Sequence, residues 1–266
     1  MSATTLYSPP NLSFDNLSRV DASARFGFSS PSSFTASFPS VLVSLSGPIA
    51  PTLSQEKPNK STLEVHVRPL SNVPGTQEKF FANILGSILE CAIIGSANPR
   101  TVLQFVVQVL VPQAKYTGFR GNWQRDKLLA SMVNASTLAL LNASSIPMRG
   151  MLCAVSVGKS REGSFVVDMD DAQSETASAF GCFSFLFSGT TGSACVWTNW
   201  RSIEDGIDES ELDVVKVLAL EGARDVWMKM KELVGKREGL GLPEEEKNQM
   251  DVKEEKGVID DDKMEI

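Results

Sequence analysis

The chain has 266 residues, room for one large or two small domains with a buried core, and its hydrophobic fraction of 42% is ordinary for a soluble globular protein. No run approaches the ~18 apolar residues that a bilayer crossing needs, so no membrane partner is expected. Much of the net charge of −7 comes from the tail beyond Lys236, with Glu244-Glu245-Glu246, Glu254-Glu255 and Asp260-Asp261-Asp262; the near-neutral body excludes a global basic field for nucleic acid.

Residues 1–16 are rich in Ser, Pro and Asn and read as a loosely ordered arm. The opening MSATTLYSPPNLSF has neither a basic n-region nor an apolar h-region, so no secretory signal is expected and the protein reads as intracellular. Strand patterns follow. Ala24, Phe26 and Phe28 alternate, as do Val41, Val43 and Leu45 before Gly47-Pro48, and then Leu63, Val65 and Val67. Residues 29–40 (SSPSSFTASFPS) form a connection longer than a tight hairpin needs.

The spacing turns helical over residues 76–94, where Phe80, Phe81, Ile84, Leu85, Ile88 and Leu89 share a broad apolar face. Thr76 with Lys79 makes no capping box, but Glu78 in the first turn suits the helix dipole. Residues 101–111 (TVLQFVVQVLV) read as a buried strand, and residues 126–141 as a second helix with a small-residue face. Strands are predicted over 151–157, 164–169, 180–187 and 193–200. A long helix over 209–234 carries Leu212, Val215, Ala219, Gly222, Val226, Met230 and Leu233 as one stripe. The remainder reads as a disordered acidic tail, and the order of elements predicts an α+β domain with two related β/α halves.

Cys91, Cys153, Cys182 and Cys195 show no CxxC spacing and sit among apolar residues, so buried free thiols in a reducing compartment are expected. His66, the lone histidine, lies mid-strand without a ligand-like neighbour.

Five features occur in one order: residues 17–28 (LSRVDASARFGF), 46–51 (SGPIAP), 63–69 (LEVHVRP), the apolar helix opened by Gln77-Glu78, and 133–149 (VNASTLALLNASSIPMR). Together they resemble the ribonuclease PH family, in particular the ring subunits of the eukaryotic exosome. The first is similar to the family's R-x-DGS-A-RF strand, with Ala22 in place of the glycine. The resemblance runs from Leu17 to Val234 and implies the ribosomal protein S5 domain 2-like fold. It gives three regions: an arm at 1–16, an RNase PH-like domain at 17–235 and an acidic tail at 236–266.

Active members cleave the 3′ phosphodiester of RNA with inorganic phosphate, which calls for an anion cradle and a supporting carboxylate. The family's GG-[ST]-R turn opening the second helix corresponds here to Asp126-Lys127-Leu128-Leu129, without glycines and with a repelling aspartate. The G-R-T-x-E-like turn corresponds to Gly75-Thr76-Gln77-Glu78, without the arginine. The E-A-D-M-like strand start falls in residues 175–179 (ETASA), without an aspartate. The resemblance therefore implies a non-catalytic subunit, with no catalytic residue, metal or cofactor. Its implied partners are other RNase PH-like ring subunits, S1/KH-type cap subunits and RNA threaded through the ring, in the nucleus, nucleolus and cytoplasm.

Four residues are candidates for RNA contact. Lys57, Asn59 and Lys60 lie in the loop 51–61 (PTLSQEKPNKS), whose counterpart in ring subunits approaches the central channel. Arg125, with Arg120, flanks Gly121-Asn122-Trp123, where a basic and aromatic surface could stack bases or the Trp could anchor packing. The rival reading is an active phosphorolytic or metal-dependent 3′-exoribonuclease. Asp168, Asp170 and Asp171 would then hold a hard cation; the plainer reading is a solvated acidic turn.

Overall fold

The computed structural model describes residues 10–15, 17–28, 41–111, 119–169, 177–189, 192–202 and 209–237. The expectations for residues 1–9 and 29–40, for Asp170, Asp171 and Glu175, and for the tail beyond 237 lie outside the described residues. The chain divides into a compact body, Met1–Met228, and a second unit, Lys229–Ile266.

The first sheet holds β1 (Asn11–Asp15), β2 (Ala22–Gly27), β3 (Val41–Ile49), β4 (Thr62–Arg68) and β5 (Val102–Val109), in the order β1-β2-β3-β5-β4. Its pairs are antiparallel except β4 with β5, which are parallel because α1 (Thr76–Ala92) carries the chain between them. The period-two pattern sorts the faces as expected. Ala24, Phe26, Val41, Val43, Leu45, Phe105 and Val107 are buried together, while Ser44, Gln104, Val106 and Gln108 lie half-buried on the other side.

Residues 11–15 are not a loose arm. They form β1, with Leu12 opposite Phe26 and Phe14 opposite Ala24, and both Nε and Nη2 of Arg25 lie 2.9 Å from Asp15 Oδ2. Five paired residues and an ion pair outweigh a composition that reads as coil. The start of α1 also differs from expectation. The Gly75 amide donates to Glu78 Oε2 at 2.7 Å, the carboxylate half of a capping box, which a glycine can use because this half needs only a backbone N–H.

The second helix, α2 (Phe119–Ala143), begins seven residues before the predicted start at 126. It is buried on all sides from Leu129 to Leu140, lying between the two sheets. The small residues Ala130, Ser131, Ala135, Ser136 and Ala139 allow that approach, and Ser131, Ser136 and Thr137 satisfy their hydroxyls on the carbonyls four residues back.

The second sheet is antiparallel, with β6 (Met151–Ser160), β7 (Phe165–Val167), β8 (Ala177–Ser188), β9 (Gly192–Thr198) and β10 (Arg201–Ser202) in the order β10-β8-β6-β7 and β9 beside β8. One face meets α2; α3 (Glu209–Arg237) reaches the sheet through Lys159–Glu211 at 2.6 Å and a Phe187–Trp227 stack with centroids 5.6 Å apart. Val215, Ala219, Gly222 and Val226 are the buried stripe of α3 within the body. In the second unit the helix continues to Arg237, past the predicted end at 234. Lys229 and Lys236 bracket Glu232 at 3.3 and 3.1 Å, and the basic last turn suits the helix dipole.

The cysteines divide. Cys153 and Cys182 are buried, but Cys91 and Cys195 are exposed, because Cys91 falls on the outer face of α1 and Cys195 on the edge strand β9.

Candidate functional site

The position where the resemblance places catalysis lies among the first turns of α2, the end of β7 and the start of β8. Because α2 begins at Phe119, Asp126-Lys127-Leu128-Leu129 occupy its third turn. Amides there bond to carbonyls four residues back, and only the first four N–H groups of a helix are free for an anion. A phosphate cradle made from these amides is therefore closed, glycines or not.

Asp126 is buried, with Oδ1 accepting from Asn199 Nδ2 at 2.7 Å; Oδ2 has no hydrogen-bond partner among the described residues. Asn199 is held in turn by Cys182, whose amide donates to Asn199 Oδ1 at 2.8 Å and whose carbonyl accepts from the Asn199 amide at 3.2 Å. Burial raises the Asp126 pKa to about 6, against the lowering effects of the Asn199 hydrogen bond and of Arg201 and Arg125.

Next to it, Lys127 Nζ lies 2.8 Å from Asp168 Oδ1, and the same ammonium reaches the Met169 carbonyl at 3.4 Å. Asp168 sits at φ +53°, where β7 ends, and its amide donates to the Ser156 carbonyl at 2.8 Å. Its carboxylate is only 2% exposed. Asp168 is therefore neither part of a solvated turn nor open to a hard cation, since a lysine already occupies that place. No group of three or more His, Cys, Asp or Glu suited to a metal occurs among the described residues.

The remaining space is apolar. Trp123, Met169, Ala177 and Phe180 form a buried cluster joined by Val166, and the Trp123 and Phe180 rings meet edge to face at 6.1 Å. At 1% exposure Trp123 is the packing anchor and offers no face for a base. Ala177 and Ala179 are buried at the start of β8, and Ser178 directs its hydroxyl to the carbonyls of Lys159 and Ser160. The Gly75–Glu78 turn uses its carboxylate to cap α1. His66 lies on the edge strand β4 with Nε2 3.9 Å from Glu64 Oε2.

The structure brings Lys57, Asn59 and Lys60 together, all exposed, on a loop with a fixed backbone. The Gln55 and Glu56 amides donate to the Thr52 carbonyl, and Thr62 Oγ1 donates to the Gln55 carbonyl at 2.6 Å. Gln55 Nε2 donates to Glu64 Oε1. Arg100 donates its amide to the Lys57 carbonyl and pairs with Glu56 at 3.4 Å. Lys60 lies 3.8 Å from Glu90 on α1. Arg125 belongs elsewhere: it is exposed on α2, directly before Asp126, and donates to Asn122 Oδ1 at 3.1 Å.

The structural role of Asn199 was invisible in sequence, because its partner Asp126 is 73 residues away. A lone asparagine after a strand carries no signal of that bond.

No protein-family model matches the chain. It is 34% identical over 115 residues to the exosome complex component rrp46 of Schizosaccharomyces pombe, covering 43% of this chain and 46% of that protein. It is 29% identical over 136 residues to exosome complex component RRP46 of Saccharomyces cerevisiae, 51% of this chain and 58% of that one. With the exosome complex exonuclease RRP46 homolog of Oryza sativa the identity is 27% over 140 residues, 53% of each chain. The chain thus spans about half the length of the curated relatives it matches. The crystal structure of rice (Oryza sativa) Rrp46 superposes with a TM-score of 0.70 at 21% identity, over 86% of this chain and 96% of that one. The protein therefore has the ribonuclease PH-like α+β fold that its ordered motifs led one to expect.

Proposed function

We propose that the protein is a non-catalytic structural subunit of the eukaryotic RNA exosome core ring, corresponding to the member known as exosome component five. It would help form the channel along which RNA passes during 3′-to-5′ processing and degradation. One observation carries the silent reading: the position expected to cradle phosphate is a packed interior, with Trp123 against Phe180 and Lys127 locked to Asp168. A carboxylate that must meet substrate cannot be 2% exposed and already held by a lysine. The relatives named exosome complex components support the assembly.

In that assembly the partners are other RNase PH-like ring subunits and S1/KH-type caps, in nucleus, nucleolus and cytoplasm. Interfaces in such permanent complexes bury ~2,000 Å² or more. Lys57, Asn59 and Lys60 would meet RNA phosphates without reading sequence, and Arg125 would add a separate weak contact.

A second reading, an active 3′-exoribonuclease, draws on the word exonuclease in the names of the rice and Arabidopsis thaliana relatives. Incubating the purified full chain with labelled single-stranded RNA, with and without phosphate and Mn²⁺, separates the two. We expect no shortening in any condition. Phosphate- or Mn²⁺-dependent shortening that Asp168→Asn abolishes would establish the second reading instead. Affinity purification with mass spectrometry tests the assembly, the expected result being recovery of ring paralogues and cap proteins in stoichiometric amounts.

A further inference from the structure

Next to the loop that carries Lys57 and Lys60 lies a cavity of about 250 Å³, whose polar lining is Lys60, Ser61, Glu90, Ser96 and Arg149 and whose apolar lining is Leu63, Ile93 and Leu103. Its walls come from four separate pieces of chain that hydrogen bonds hold in place. The Ser61 amide donates to the Gly95 carbonyl at 2.9 Å, the Ile94 amide to the Pro147 carbonyl at 3.0 Å, and the Arg149 amide to the Ala92 carbonyl at 2.7 Å. At ~30 Å³ per water, the cavity has the volume of about eight waters, which suits a small polyatomic anion better than a drug-sized ligand.

The charges of the lining favour an anion. Lys60 and Arg149 contribute two positive charges and Glu90 one negative. Lys60 and Glu90 are 3.8 Å apart and both about half exposed, a contact weak enough for an incoming anion to replace. Two hydroxyls complete the set. Ser61 is only 8% exposed, yet its Oγ makes no hydrogen bond among the described residues. Gly95 keeps that hydroxyl uncovered, since a Cβ at 95 would stand 3.1 Å from Ser61 Oγ.

We propose that Lys60, Arg149, Ser61 and Ser96 form a seat for one phosphodiester group of single-stranded RNA, next to the Lys57–Lys60 loop. The guanidinium and ammonium supply charge-assisted donors, the hydroxyls supply neutral ones, and a singly charged phosphodiester cancels the net charge of +1 on the cavity. The seat rests on the reading of that loop as an RNA-contacting element and adds Arg149 and Ser61 to it.

The test is fluorescence anisotropy of a labelled oligouridylate with the full chain, between about 50 and about 200 mM salt. Arg149→Gln is expected to weaken binding roughly 3- to 10-fold and to lower the salt slope by about 0.7, the share of one phosphate contact on a single strand. Gly95→Val, which covers Ser61 Oγ, is expected to match it. Arg149 is exposed, so its variant tests the seat even where Gly95→Val fails to fold. Binding weakened by Lys57→Gln but unchanged in Arg149→Gln would overturn the seat and leave the loop reading intact. An oligouridylate that the wild type does not bind, or that Lys57→Gln, Lys60→Gln and Arg149→Gln all leave bound as before, would overturn both.

Discussion

The side-chain amide of Asn134 forms a two-bond bridge to the backbone of Ala154: Nδ2 donates to the Ala154 carbonyl and Oδ1 accepts from its amide, each at 2.8 Å. Asn134 is fully buried in the middle of α2, and Ala154 lies within β6. The bridge therefore fixes the central helix against the second sheet in both rotation and height. Replacing Asn134 with Leu keeps the volume but strands a buried donor and a buried acceptor. Such groups cost about 1–3 kcal/mol each to leave unpaired, so a loss of ~3 kcal/mol is expected in urea unfolding of the full chain. A loss under ~1 kcal/mol would mean that the two backbone groups find other partners.

The Lys127–Asp168 pair makes an asymmetric prediction. Asp168 is 2% exposed and Lys127 22%, so the lysine can turn toward water while the aspartate cannot. Lys127→Met removes the ammonium 2.8 Å from a buried carboxylate and is expected to cost about 3–5 kcal/mol. Asp168→Asn should cost less, since asparagine tolerates the φ of +53° at this position. In the double variant most of the Lys127→Met loss should return, and a double-mutant cycle by chemical denaturation measures that coupling. Strict additivity would show that the pair is not the reason Asp168 is tolerated in the interior.

The raised pKa of Asp126, about 6 against an ordinary 3.8, sets a direction for stability against pH. Between these values the folded chain holds a proton that the unfolded chain has released. Stability contributed by this carboxyl is therefore full below pH ~4, falls as pH rises toward 6, and is lost above it. A shift of about two units corresponds to roughly 3 kcal/mol at most. Asp126→Asn removes the titration while keeping an acceptor for Asn199. Unfolding free energies at pH 4.5 and 7.5 should thus differ by about 1–2 kcal/mol less in a falling sense than in the wild type. An unchanged pH dependence in the variant would place the titrating group elsewhere.

What was legible in sequence was what depends on one-sided burial. Val41, Val43 and Leu45 alternate because only one face of β3 meets the helices, and the α3 stripe from Val215 to Val226 recurs at helical steps for the same reason. Features that depend on distant partners were not legible. Nothing local in Asn11–Asp15 announces β1, whose stability comes from pairing with β2 and from Arg25. Asp126-Lys127 stand at the family's cradle position, but no local pattern marks that the helix begins two turns earlier or that Trp123 joins the buried cluster there. Loss of the cradle could be read from missing glycines; its replacement by a packed interior could not, because Met169, Ala177 and Phe180 converge there only through the fold.

Gly181 exposes the same convergence to a test by one methyl group. A Cβ at this position on β8 would lie 2.8 Å from Trp200 Cα and 3.0 Å from Trp200 N, so backbone meets backbone and no flexible side chain can give way. That close approach lets the link between β9 and β10 run tight against β8, which seats Trp200 6.0 Å from Phe183 and brings Asn199 to Asp126. Gly181→Ala must push the link outward, and overpacking of this kind costs about 1–3 kcal/mol or more. The displacement should also loosen the Asn199–Asp126 bond, so the variant is expected to lose stability and to change its pH dependence together. Gly189→Ala, where a Cβ meets nothing within 4 Å among the described residues, is the matched control and should change neither. Equal thermal midpoints for the two variants would show that the link beside β8 adjusts freely and that Gly181 does not set the position of Asn199.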